Sequence, residues 1–173
     1  TYNMALFALM TMTPLFAQRG LGLSPAQTGV AFASAMLLGS VGQPFIGRLS
    51  DRTGRVGIFA VGSVTAAALT AGALVIDSPL GTITLLTGAM GVLVAIRSSV
   101  LAMAVDYVSG REATALGFIF VMLDGVGALG AVLAGVVGDF SLHYSFVLAS
   151  GLSLASVGII TVAFGRNSRA PHE

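Results

Sequence analysis

The chain contains no cysteine, no tryptophan and no lysine, and it has little charge of either sign. Without cysteine there is no disulfide framework, no thiolate metal site and no catalytic thiol. All eight basic residues are arginine, a bias that a GC-rich bacterial genome would produce. Charged residues make up 9% and hydrophobic ones 55%, against roughly 25% charged in an ordinary soluble domain, so most of the chain cannot face water. A net charge of +1, scattered in small islands, excludes the basic stripe of a nucleic-acid binder. The two histidines are His143, near a helix end, and His172, in the polar tail. Neither offers a general base at membrane depth. A mean hydropathy of +0.96 over 173 residues exceeds what one signal peptide would add, because a signal sequence contributes a single short apolar run. The expected class is an all-α membrane protein. The chain starts at Thr1 inside an apolar run, which reads as a piece of something longer.

Crossing about 30 Å of hydrocarbon at about 1.5 Å per residue takes about 20 apolar residues. Six runs meet this need, at 1–18, 26–48, 56–76, 80–105, 114–137 and 144–164, followed by a polar tail at 166–173. Ser24, Pro25 and Gln27 form a capping box with proline at the first helical position, so the second helix should begin near Pro25. Ser78-Pro79 marks the fourth start in the same way, and Ser109-Gly110-Arg111-Glu112 gives the fifth a capping box. Gly127, Ala131 and Gly135 on the fifth span recur every four residues, a spacing that lets backbones approach closely in lipid. The expected architecture is a compact six-helix bundle.

The short connections make successive helices antiparallel, so cationic residues can be counted by side. Arg48, Arg52, Arg55, Arg111, Arg166 and Arg169 fall on one side and Arg19 alone on the other, while Arg97 lies inside a span. The positive-inside rule therefore predicts that both termini and the loop after the second helix are cytoplasmic. Tyr107 and Tyr144 fall at predicted helix ends, where an amphipathic ring suits the interface.

That loop reads GRLSDRTGR, with Arg48, Asp51, Arg52 and Arg55 crowded into residues 47–55 of an otherwise sparsely charged chain. Any polytopic membrane protein would have basic residues in such a loop; the spacing is what distinguishes this one. Gly47, Asp51, Arg52, Gly54 and Arg55 fit a Gly-x-x-x-Asp-Arg-x-Gly-Arg pattern between the second and third helices. Asp106, followed by Ser109-Gly110-Arg111-Glu112-Ala113-Thr114-Ala115-Leu116-Gly117, supplies an acidic helix end, a basic loop and a Thr-Ala-Leu-Gly helix start. In these features the chain resembles the major facilitator superfamily of transporters, over essentially its whole length.

The resemblance implies one six-helix half of a twelve-helix fold in the inner membrane, the other half being a missing amino-terminal six-helix set of the same protein. Arg97 sits late in the fourth helix and the fifth lacks proline, a pattern closer to a second half than a first. It further implies that Gly47, Asp51, Arg52, Gly54, Arg55, Asp106 and Arg111 form a conformational-switch loop. In that loop Arg52 or Arg55 pairs with Asp106, and Asp51 faces the amino end of a helix in the other half, where the helix dipole favours an anion. The family works by alternating access, two halves rocking around a midplane site. No cofactor and no metal is called for.

Arg97 and Asp124 are the ionisable side chains well inside predicted spans, and each would cost about 2.5–3.5 kcal/mol at a helix centre. Counting from the cytoplasmic ends of their helices puts them at depths of about 12 and about 15 Å, within reach of one another. Three readings are open: a mutual ion pair tying the fourth helix to the fifth, an anion contact at Arg97 through its planar fork, and a proton carrier at Asp124. Burial favours the protonated acid and an approaching guanidinium the carboxylate, so a substrate anion that captures Arg97 would free Asp124 to take a proton. The resemblance makes the first, second, fourth and fifth helices line the cavity, with Asn3, Thr11, Gln43 and Ser98 as further candidates for the substrate and proton pathway. Pro14 and Pro44 each remove a backbone hydrogen bond and are candidate hinges.

The expected function is secondary transport of a small solute, proton-coupled and tilted toward an organic anion, with drug efflux or a non-transporting six-helix module as alternatives. A membrane enzyme fits poorly. Asp124-Gly125 begins like the Asp-Gly-x-x-Ala-Arg motif of phosphatidyl-alcohol transferases, but Leu129 and Leu142 stand where that motif needs Arg and Asp. The partners expected are a small-molecule substrate, membrane lipid and the missing half.

Overall fold

The structure is a computed structural model that describes residues 1–105 and 112–167. Among them the secondary structure is helical throughout: α1 (Tyr2–Arg19), α2 (Pro25–Thr53), α3 (Arg55–Ala73), α4 (Pro79–Ala95), α5 (Arg97–Val105), α6 (Glu112–Phe140) and α7 (Leu142–Asn167). Since α4 and α5 form one interrupted span, the seven helices make six rods, as the hydropathy runs predict. The capping signals operate as the sequence implies. Ser24 Oγ accepts from the Gln27 amide at 3.2 Å while Gln27 Oε1 accepts from the Ser24 amide at 2.9 Å, and Ser78 Oγ accepts from the Gly81 amide at 3.4 Å. Ser109, Arg111 and Tyr107 lie outside the described residues, and the capping box expected of the fifth span lies with them.

Five rods among the described residues are long and apolar enough to cross a membrane: α2, α3, the α4–α5 span, α6 and α7. The sixth, α1, is the most interior. Tyr2, Asn3, Ala5, Leu6, Leu9, Met12, Thr13 and Phe16 are all buried, so Tyr2, Asn3 and Thr13 lie inside the bundle rather than against lipid. α1 packs on α6 and α7, α2 on α4, and α3 on α4 and α7. The core is built from Leu6, Leu9, Phe59, Leu86, Met90, Leu93 and Phe146. Outward faces carry large apolar residues, such as Leu37, Val41 and Phe45 on α2 and Val121, Leu129 and Val132 on α6.

Two features depart from the sequence expectation. The close approach of α6 runs through Gly127 and Gly130 rather than along a 127–131–135 stripe. A Cβ on Gly130 would overlap the Met4 backbone of α1 and one on Gly127 would meet Asn3 and Phe7, whereas one on Gly135 would meet nothing. The fourth span, expected to be continuous from 80 to 105, is interrupted at Ile96 (φ −74°, ψ −7°). No proline lies there. At this point Val94 is packed closely against Gly39 of α2 and Ile96 against Gly62 of α3.

Candidate functional site

The interruption places Arg97 as the first residue of α5, and its Nη2 donates to Asp124 Oδ1 of α6 at 3.0 Å. The mutual contact, one of the three readings that matching depths leave open, is present. It is not sealed in the core: the Arg97 and Asp124 side chains are 25% and 49% exposed. One Asp124 oxygen takes one Arg97 nitrogen, which leaves the remaining guanidinium donors available to other acceptors.

Two further residues define this site. Asn3, 2% exposed on α1, donates through Nδ2 to the Leu123 carbonyl at 2.5 Å and to Asp124 Oδ1 at 3.5 Å. It ties α1 to the α6 turn that carries the carboxylate, while its own Oδ1 is buried without a partner among the described residues. Phe120, one turn before Asp124 on α6, lies under the guanidinium with its ring centroid 5.5 Å from Arg97 Cζ. This aromatic cradle restrains a cation by the ring's quadrupole. Phe120 carries no signal in the sequence, where it is one phenylalanine in an apolar run.

The remaining pathway candidates divide. Gln43 Nε2 on α2 donates to the Val94 carbonyl at 3.2 Å, and Ser98 Oγ donates to the Ala95 carbonyl at 3.1 Å, both at the interruption. Thr11 is exposed on α1 and its hydroxyl donates to the Phe7 carbonyl of its own helix at 2.9 Å, away from the Arg97–Asp124 pair. Beside the pair, Thr1, Asn3, Met103, Phe118 and Met122 help to line a largely apolar cavity of about 500 Å3.

The 47–55 motif forms the junction of α2 and α3. Gly54 has φ +101°, a conformation that a side chain would strain, and its amide donates to the Ser50 carbonyl at 3.0 Å. The turn returns the chain so that Arg55 opens α3. Arg55 donates through Nε and Nη2 to Asp51 Oδ1 at 3.3 and 3.2 Å and through Nη1 to the Ala102 carbonyl of α5 at 2.9 Å. One arginine thus joins the motif to the helix that begins with Arg97. Arg48, Asp51 and Arg52 are exposed, and Gly47 faces Ser98. Asp106 and Arg111, the other expected members of this cluster, lie outside the described residues.

No group of three or more histidine, aspartate or glutamate residues that could hold a metal occurs among the described residues. No curated protein and no solved structure matches the chain. The sequence model of the Major Facilitator Superfamily matches residues 1–173, the whole of it. With six rods and an Asp51–Arg55 turn between the second and third of them, the chain belongs to the Major Facilitator Superfamily and is a multi-pass membrane transporter.

Proposed function

We propose that the protein moves a small organic anion together with a proton by alternating access, Arg97 taking the anion and Asp124 the proton. The observation that carries this reading is the Arg97–Asp124 contact of 3.0 Å on side chains that remain partly exposed. A pair this exposed adds little to stability, so its retention inside two apolar spans favours a functional use; it keeps donors free and is open to solutes. A carboxylate or phosphate entering beside Arg97 competes for the guanidinium, bidentate geometry favouring the newcomer. Asp124, losing its cation, takes up a proton. Asn3 suits either state of the acid, because its amide donates to a carboxylate through Nδ2 and offers the unpartnered Oδ1 to a protonated one.

The proposal includes a second six-helix set facing the exposed Arg97–Asp124 side of the bundle, with lipid around the outward apolar faces. It places the 47–55 turn and both ends of this segment in the cytoplasm, on the strength of the arginine distribution. The turn then serves as a switch whose state α5 transmits through Arg55 and Ala102. A second reading, export of apolar drug-like compounds driven by the same proton site, is favoured by the cavity of about 500 Å3 lined by Phe118, Met122 and Met103.

Uptake of radiolabelled succinate and phosphate by the full-length protein in proteoliposomes tests the main reading. Arg97→Lys should raise KM for the accepted anion by about tenfold or more, as loss of a bidentate contact would. Asp124→Asn should abolish accumulation driven by a pH gradient while leaving exchange of anion across the membrane. Anion KM unchanged in Arg97→Lys, together with gradient-driven accumulation in Asp124→Asn, overturns it, and drug efflux that requires Asp124 but not Arg97 would favour the second reading.

A further inference from the structure

We infer that Tyr2 and Gln43 are positioning residues for Arg97, holding the fourth span interrupted so that its guanidinium reaches Asp124. In an unbroken α-helix the Leu93, Val94 and Ala95 carbonyls would accept from the amides of residues 97, 98 and 99. Here the helix stops at Ala95, and the Ser99 amide donates to Ile96 O at 3.1 Å. Each of the three carbonyls accepts from a side chain. Tyr2 Oη donates to Leu93 O at 2.8 Å, Gln43 Nε2 to Val94 O at 3.2 Å, and Ser98 Oγ to Ala95 O at 3.1 Å. The donors come from α1, α2 and α5.

An unsatisfied carbonyl at membrane depth costs several kcal/mol, so a break in a spanning helix persists only where neighbours supply donors. The Tyr2 hydroxyl is held in place by its surroundings, since the residue is 5% exposed and its ring stands edge-on to Phe59, centroids 5.6 Å apart. Ser98 is local to α5 and would follow either geometry. Tyr2 and Gln43 are contributed from other helices, so they are what makes the interrupted form preferable. Removing their donors while keeping their bulk favours closure of the ladder, with the Arg97 amide bonded to Leu93 O. Closure changes the backbone angles at Ile96 and turns Arg97 about the helix axis, away from Asp124.

The inference builds on the functional reading of the pair, but its tests involve no transported solute, so the two can fail separately. In the full-length protein, Tyr2→Phe combined with Gln43→Leu should slow hydrogen exchange of the Arg97 amide by roughly tenfold or more, the mark of a newly closed hydrogen bond. The second readout is the coupling between Arg97 and Asp124, measured as the non-additivity of Arg97→Gln and Asp124→Asn on melting temperature. It should vanish in the Tyr2→Phe/Gln43→Leu background. A merely structural role would lower the melting temperature and leave the coupling intact. Unchanged Arg97 exchange, or an undiminished coupling in the altered background, overturns the inference.

Discussion

Replacing Gly130 by alanine adds one methyl group at the tightest contact between α1 and α6. That carbon would lie 2.6 Å from the Met4 carbonyl carbon and closer still to Met4 Cα and O, whereas non-bonded carbons rest about 3.5–4.0 Å apart. The obstacle is backbone, so no rotamer change relieves it and the helices must separate by about 1 Å. Overpacking of this kind costs about 1–3 kcal/mol. Alanine also stabilises a helix relative to glycine, by about 0.5–1 kcal/mol. Gly135→Ala carries that same gain, at a site where the new methyl meets nothing within 4 Å, and therefore isolates the packing term. At about 2–4 °C per kcal/mol for a chain of this size, Gly130→Ala should melt about 2–12 °C below Gly135→Ala by far-UV circular dichroism in detergent. Equal melting temperatures would refute the α1–α6 contact. Because Asn3 precedes Met4, the same separation should weaken its hold on Asp124.

Other perturbations discriminate among the remaining contacts. Gly54→Ala imposes a side chain at φ +101° and should cost about 1–3 kcal/mol, read as a lower melting temperature. Asp51→Asn should change stability by under about 1 kcal/mol, because Asp51 is 61% exposed, whereas Arg55→Leu also removes the donor to Ala102 and should slow transport. Phe120→Leu keeps apolar bulk while removing the ring beneath Arg97, and a loss of about 0.5–1 kcal/mol predicts a two- to fivefold rise in anion KM. Ser24→Ala, which dismantles the capping box, should destabilise by about 1 kcal/mol in thermal unfolding.

The residues most conspicuous in the sequence are those whose chemistry conflicts with a hydrocarbon setting. Arg97 and Asp124 stand out in apolar runs, and residue counting places them at matching depths; the structure pairs them. Ser24 and Gln27 announce a helix start because both partners lie within four residues. The break at Ile96 has no such local sign. It arises where Gly39 and Gly62 of two other helices admit Val94 and Ile96 and where Tyr2 and Gln43, distant in sequence, supply donors. Asn3 is legible as a polar residue in a span, but its grip on Leu123 is not, since that depends on the α1–α6 crossing at Gly127 and Gly130. The four-residue spacing of small residues points only in part at the true contact, because Gly127 belongs to it while Gly130, three residues on, makes the closest approach and a methyl on Gly135 would meet nothing.

Proton movement accompanying anion uptake tests the central claim most directly. Proteoliposomes containing the full-length protein and an internal pH dye should acidify when succinate or phosphate is added outside, and the Asp124→Asn variant should carry the anion with no acidification. Acidification of equal size in both proteins would contradict the account and remove Asp124 from the mechanism.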